Sequence, residues 1–325
     1  MTSAGEYFNR EVHCRSCLAG ETQVQLLVFR ERTDYHKNPQ LKGNHEVMNI
    51  IHRTLSCPDC RKAVEVPDDK SLVCALCRRI YPVEDGVHVL MPSRAPEDNR
   101  GANDAEYQKW LKVSSDLLQN FYERGSPLLH AIHHSSHKTA ARYCRKLPSA
   151  GLTLDLGCGA GAHYPYYRDL KNVVGLDISM DNLRRVKAEY PEASLVRGNC
   201  YRLPFKDSAF QVVLSMYNLE HLFHLKNALD EVRRVLSPGG AFIVGLPCVG
   251  GFLWDTAGGW KARRKYRTLG IDYDRVIAIE HCNKARDILR EIKQTFRVES
   301  VSWFPLVVIP SVNINLTVTV LARRK

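Results

Sequence analysis

A chain of 325 residues is too long for one small core and accommodates a full α/β domain plus a smaller module. Hydrophobic residues make up 44% and charged residues 25%, ordinary globular usage that excludes wholesale disorder; with no run of 18 apolar residues, a helical membrane span is excluded as well. The net charge of +11 suits a polyanionic partner such as RNA, or an acidic or phosphorylated substrate. The basic residues are scattered, however, and are densest at Lys261, Arg263, Arg264, Lys265 and Arg267.

The first residues lack the basic and then apolar layout of a secretory signal, so a cytoplasmic location is expected. Residues 1–56 are polar and irregular. They hold His13 and a Cys14-x-x-Cys17 pair, which with His36 makes a poor second metal set. His45-Glu46 opens like a metalloprotease helix, but Asn49 stands where the second histidine is required. A Cys57-x-x-Cys60 pair then precedes Cys74-x-x-Cys77 by thirteen intervening residues. Each pair is spaced to grip one side of a tetrahedral ion from a tight turn, so a structural zinc ribbon is expected at about 55–92, within an N-terminal region 1–95. The odd total of eleven cysteines argues for thiolates in a reducing compartment rather than disulfides.

The stretch 94–104 carries turn formers without periodicity and reads as a linker, which places the second domain at 105–325. Apolar residues then recur at helical spacing through Trp110, Val113, Leu117, Leu118 and Phe121, and again at Leu128, Leu129 and Ile132. His130, His133, His134 and His137 stand at i, i+3, i+4 and i+7. Without carboxylate or cysteine partners in the neighbouring sequence they suit a substrate-facing or solvated helix face better than a metal site.

From residue 152 onward, short apolar runs at 152–156, 173–177, 195–197, 210–216 and 241–246 alternate with charged helical ones, which predicts a doubly wound α/β sheet. Runs at 298–304 and 313–321 are expected to close it as an antiparallel hairpin. The connection 246–280, with Trp254, Trp260 and the basic patch, is longer than a minimal one and reads as a lid over an acceptor site. The first strand ends in Leu154-Asp-Leu-Gly157-Cys-Gly159-Ala-Gly161, whose glycines allow a sharp turn and close approach to a ligand. Twenty residues after Gly157, the next strand ends in Asp177, placed to accept from ribose hydroxyls; a helix N-cap is its alternative role, for which Ser179 is also suited.

With Arg197-Gly-Asn199-Cys-Tyr-Arg-Leu-Pro204-Phe205 and Leu229-Asp-Glu-Val-Arg-Arg-Val-Leu-Ser-Pro238-Gly239-Gly240 in the expected order, 147–325 resembles the class I S-adenosylmethionine-dependent methyltransferases. The resemblance implies a Rossmann-like domain in which Gly157, Gly159 and Gly161 wrap the methionine end of S-adenosylmethionine. Asp177 would hold the ribose, Asn199 and Cys200 would meet the adenine, and Asp155, Ile178 and Tyr217 would complete the cofactor set. Asn199 replaces the family's usual aspartate, leaving an amide oxygen without charge assistance, and Gln211 replaces another. An NAD-type reading of the same glycines leaves the Leu-Pro-Phe and Ser-Pro-Gly-Gly segments unexplained. The run Tyr81-Pro-Val-Glu-Asp-Gly86 similarly resembles the ending of zinc ribbons fused ahead of methyltransferases.

Methyl transfer from a sulfonium needs a positioned nucleophile and exclusion of water, with a base helpful for a hydroxyl or protonated amine. Glu220 and His221, just past the fourth strand, are the leading catalytic candidates, with His281 and His163 as further histidines for the same pocket; shaping or capping the next helix is the alternative role of the Glu-His pair. The expected function is methylation of a small-molecule acceptor, either a biosynthetic intermediate or a lipid-like metabolite. An RNA base acceptor and a non-catalytic cofactor-binding or partner-activating protein are the alternatives, and oligomeric state is left open.

Overall fold

The computed structural model describes residues 51–94, 96, 101, 103–124, 127–147 and 151–325, with backbone alone for 115–124, 127–129 and 257–262. His13, Cys14, Cys17, His36 and His45 lie outside the described residues.

Side-chain alternation builds a sheet buried on both faces. On β5 (Thr153–Leu156), Leu154 and Leu156 point into one apolar layer; on β8 (Phe210–Met216), Val213 joins that layer while Val212, Leu214 and Met216 enter the other. Around these two strands lie β6 (Val173–Asp177) and β7 (Ser194–Arg197) on one side and β9 (Leu236–Pro247) on the other, all parallel. The strands β11 (Thr317–Arg324) and β10 (Phe296–Phe304) follow antiparallel. The spatial order is β7-β6-β5-β8-β9-β11-β10, the doubly wound sheet expected, and the chain reverses its direction of winding between β5 and β8. Ligands of such sheets bind in the crevice beyond the carboxyl ends at that reversal.

Helices cover both faces because their apolar residues recur on one side. The helices α4 (Leu225–Val235) and α7 (Ala285–Thr295) bury Leu225, Leu229, Val232, Ile288 and Ile292 in the first layer. The second layer is closed by α2 (Pro127–Arg145) and α3 (Met180–Glu189), through Ala140, Tyr143, Leu183 and Val186. The last expected strand begins at Thr317 rather than 313, and the fifth parallel strand begins at Leu236 rather than 241.

The N-terminal strands β1 (Val64–Glu65), β2 (Ser71–Cys74), β3 (Ile80–Glu84) and β4 (Val87–Val89) form an antiparallel meander. Its last strand continues the main sheet: Val87, His88 and Val89 pair in parallel with Leu195, Val196 and Arg197 of β7. Cys57, Leu72 and Cys74 share one core with Leu203, Phe205 and Leu229.

Between β9 and α7, a π-helical turn (Trp254–Gly258), α5 (Gly259–Thr268) and α6 (Tyr273–Glu280) form the long connection expected of a lid. It packs on α1 (Ala105–Arg124) through Trp110, Ile271 and Val276, with Trp110 stacked 5.3 Å from Tyr266. Arg263 in its basic patch is held by both oxygens of Asp274 at 2.9 Å, which neutralises part of that patch. Trp254 is half-buried; the side chain of Trp260 is outside the description.

Candidate functional site

The glycine turn leaves β5 at the sheet's reversal point. Gly157 and Cys158 both donate their N–H to Leu176 O, at 2.8 and 3.0 Å, folding the turn over the end of β6. At Gly157, φ is +71° and a Cβ would lie 2.4 Å from Cγ of Asn218, so a side chain is refused both by conformation and by space. Gly159 (φ +53°) meets nothing within 4 Å at the Cβ position, so its backbone faces open space.

Asp177 ties this turn to the next one. Its Oδ2 accepts from Gly159 N and its Oδ1 from Ser179 N, both at 2.8 Å, while Ser179 itself caps α3 through Asn182 N. A carboxylate offers about four acceptor sites, and the Asn182 side chain and the Ile178 N–H also act on this one. Burial raises the Asp177 pKa against the pull of those backbone N–H groups. Asp155 is 2% exposed; burial, with the charge of Asp177 adding to it, pushes its pKa up to about 7 against the pull of the Tyr167 hydroxyl beside it. An ammonium group of a ligand beside it would favour the charged form of Asp155.

Ile178 beside Asp177 is 57% exposed, an apolar face that suits a flat base. Asn199 turns its amide oxygen onto Tyr201 N at 2.8 Å, so its orientation is fixed by its own backbone. Burial pushes the neighbouring Cys200 thiol up to about 12, leaving an uncharged wall. Tyr217 (φ +53°) donates its N–H to Gly245 O at 2.9 Å, and its ring stacks on His133 at 5.0 Å.

Past Tyr217, a 3₁₀ turn (Leu219–His221) brings Glu220 and His221 to the end of α6. His221 Nδ1 lies 3.0 Å from Glu280 O and 3.2 Å from Glu280 Oε2, and its Nε2 lies 3.9 Å from Glu220 Oε1. Glu280 also accepts from the Tyr107 hydroxyl at 2.8 Å and Trp110 Nε1 at 3.1 Å. Burial opposes its charge, but His221, Tyr107 and Trp110 together hold Glu280 down at about 2. His221 is likewise opposed by burial, yet the Glu280 and Glu220 carboxylates raise its pKa. The ring of His281 stands edge-on to His221 at 5.0 Å, and burial drives it down to about 3. Glu280 was not singled out in the sequence; the 59 residues separating it from His221 leave no local signal for the pair.

His163 is placed elsewhere, in a second histidine group with the α2 face. His137 Nδ1 lies 2.7 Å from His163 Nδ1 and its Nε2 lies 3.3 Å from His133 Nε2, while His134 meets the Tyr166 hydroxyl. His137 presents different nitrogens to its two neighbours, so these three do not converge on one ion. Burial holds His163 at about 3, His88 at about 4 and His137 well below the usual histidine range. All three are at most 3% exposed. Histidines neutral in the fold but protonated when unfolded stabilise fully above their unfolded pKa and lose that contribution as pH falls below it. Each therefore costs up to about 1.4 kcal/mol per pH unit, from roughly pH 6.5 down to its folded pKa. Thermal unfolding followed between pH 7.5 and 5 is expected to show Tm falling steeply below pH 6, and a flat profile would contradict the buried neutral assignment.

The four ribbon cysteines form the one candidate metal cluster among the described residues, with all sulfurs within 4.8 Å of one another. Cys57 Sγ lies 3.7 Å from Cys77 Sγ and Cys60 Sγ 3.3 Å from Cys74 Sγ. Zinc–sulfur bonds of about 2.3 Å in a tetrahedron separate sulfurs by about 3.8 Å, so the set fits zinc. Both pairs are built alike. Arg61 (φ +61°) and Arg78 (φ +59°) return their N–H groups to Cys57 O and Cys74 O. Tyr81 sets its hydroxyl 3.0 Å from Cys57 Sγ, where it can donate to a thiolate.

Two segments of the chain match known families. Residues 154–244 match the family described as methyltransferase domain, and residues 49–86 match that of Trm112p-like protein. A probable S-adenosylmethionine-dependent methyltransferase of Mycolicibacterium smegmatis is 36% identical over 95 residues, covering 29% of this chain and 37% of that protein. The demethylmenaquinone methyltransferase of Renibacterium salmoninarum is 35% identical over 92 residues, covering 28% and 39%. The chain thus spans less than two fifths of the length of each of these relatives. Among solved structures, the N-methyltransferase NodS of Bradyrhizobium japonicum, in complex with S-adenosyl-L-homocysteine, aligns at TM-score 0.47 and 14% identity, over 68% of this chain and 99% of that one. The resemblance to class I methyltransferases with an N-terminal ribbon is borne out by the two family matches.

Proposed function

We propose that this chain is an S-adenosylmethionine-dependent methyltransferase acting on a small-molecule acceptor, with a structural zinc in its ribbon. The observation that carries the reading is the glycine turn locked to Asp177 at the sheet's reversal point, with Gly159 open to the crevice. When bound, the cofactor supplies a methyl group already activated on a sulfonium, which leaves positioning and proton removal to the protein. Asp155 would hold the ammonium group, Asp177 the ribose, and Ile178 with Asn199 and Cys200 the adenine. His221 is the base we assign to the acceptor, oriented through Nδ1 by Glu280, with Glu220 and His281 walling the same pocket. A small acceptor is favoured by the likeness to a demethylmenaquinone methyltransferase.

Incubating the protein and methyl-labelled cofactor with a host-cell extract is expected to label the small-molecule fraction. Label in RNA would replace the acceptor class, and cofactor binding without label in any fraction would support the non-catalytic alternative. With a substrate in hand, Glu280→Gln is expected to lower kcat by about 10- to 100-fold while leaving cofactor affinity unchanged. Activity should rise with pH as His221 loses its proton, and the variant, lacking the carboxylate that raises that pKa, should move this limb to lower pH. A variant with unchanged kcat and pH profile would remove His221 and Glu280 from the mechanism.

A further inference from the structure

The loop joining β10 to β11 displays four consecutive aliphatic side chains to solvent: Leu306 is 40% exposed, Val307 64%, Val308 88% and Ile309 45%. Scattered exposed aliphatics are unremarkable, but an uninterrupted run at a loop tip is a binding surface or a liability. Here the tip is held in shape. Asn315, fully buried, accepts from Leu306 N at 2.8 Å and donates to Ile309 O and Ser311 O at 2.8 and 3.0 Å, so one side chain spans the base of the loop. Pro305 and Pro310 bracket the run.

The surroundings are cationic. Val307 and Phe304 line a cavity of about 220 Å³ with Lys138 and Arg142, exposed on α2, and no carboxylate is among its described lining residues. Arg286 stands at the loop's other end, donating to Asn313 Oδ1 at 2.6 Å. An apolar tip flanked by cations matches the interface of an anionic bilayer, where aliphatic groups enter the acyl boundary while ammonium and guanidinium groups meet phosphates. A second copy of this chain would set like charges against each other across a twofold axis, so it suits the surface less well.

We infer that loop 305–310, with Lys138 and Arg142 beside it, docks the protein reversibly on the surface of an anionic phospholipid membrane. This stands on the loop and its charges and does not depend on the acceptor class. The test is co-sedimentation of the full chain with sucrose-loaded vesicles of phosphatidylcholine, alone or with roughly 30% phosphatidylglycerol. The chain is expected to pellet with the anionic vesicles and to be released by salt. Val307→Asp with Val308→Asp should lower partitioning about tenfold or more. Lys138→Glu with Arg142→Glu should abolish the preference for phosphatidylglycerol. Unchanged affinity of both variants for S-adenosylhomocysteine would show that the fold is intact. Wild-type protein that stays in the supernatant with both vesicles, or an aspartate variant that pellets as wild type does, would overturn the inference. So would a wild-type dimer that ignores vesicles and is split by the aspartates, which would assign the tip to contact between copies.

Discussion

Replacing Asp177 by alanine is expected to weaken binding of S-adenosylhomocysteine by about a hundredfold or more, measured by titration calorimetry. Two effects combine. Charge-assisted hydrogen bonds to ribose hydroxyls, each worth about 1.5–3 kcal/mol, are lost with the carboxylate. The same carboxylate also holds Gly159 N and Ser179 N, so its removal unties the glycine turn from the start of α3 before any ligand arrives. Asp177→Asn separates the two effects, because an amide oxygen can retain one of the backbone bonds while the charge is gone. Affinity for that variant should fall between wild type and Asp177→Ala. Near-wild-type binding by Asp177→Ala would place the cofactor elsewhere.

The ribbon predicts an equally large effect on stability. Metal analysis of the purified chain should find one zinc per molecule, and Cys74→Ser should lose it. Structural zinc contributes on the order of 10 kcal/mol to folding in small ribbons. Even partial loss, at several kcal/mol, should lower Tm by on the order of 10 °C in a protein of this size. The damage should not stay local, since Cys57 and Cys74 are buried in the core that contains Leu203, Phe205 and Leu229 of the α/β domain. Protection of β7 amides from hydrogen exchange is therefore expected to fall along with the ribbon's own. A zinc-free variant with unchanged Tm would show that the four thiols pack well enough without an ion.

Legibility in the sequence followed the range of the interaction. The parallel strands were readable because β-branched and leucine runs of three to seven residues are bounded by turn formers, and the glycine turn because three glycines recur at alternate positions just past such a run. Where the sequence misjudged a boundary, a tertiary demand had taken over the residues. Leu236 to Gly240 look like a turn, with Gly239 at φ +69°, yet they extend β9 alongside Phe210 through a register shift. Asn313 and Asn315 sit in an alternating run, yet they precede β11 because Asn315 is committed to the loop before it. The four histidines of α2 were visible as one face, but their neighbours His163, Tyr166 and Tyr217 arrive from the glycine turn and from β8. Glu280 was invisible for the same reason, since its meaning depends on His221 of the 3₁₀ turn and on Tyr107 and Trp110 of α1, two elements far from it in the chain.

The parallel pairing of β4 with β7 also fixes a stoichiometry. Without Val87, His88 and Val89, one margin of the parallel sheet would present the unpaired N–H and C=O groups of β7, a template for adventitious strand addition. A strand delivered by a separate polypeptide would cover that margin only at sufficient supply and would be lost on dilution. Carried on the same chain, it meets β7 at a concentration set by the tether, so its occupancy is independent of how much protein the cell makes.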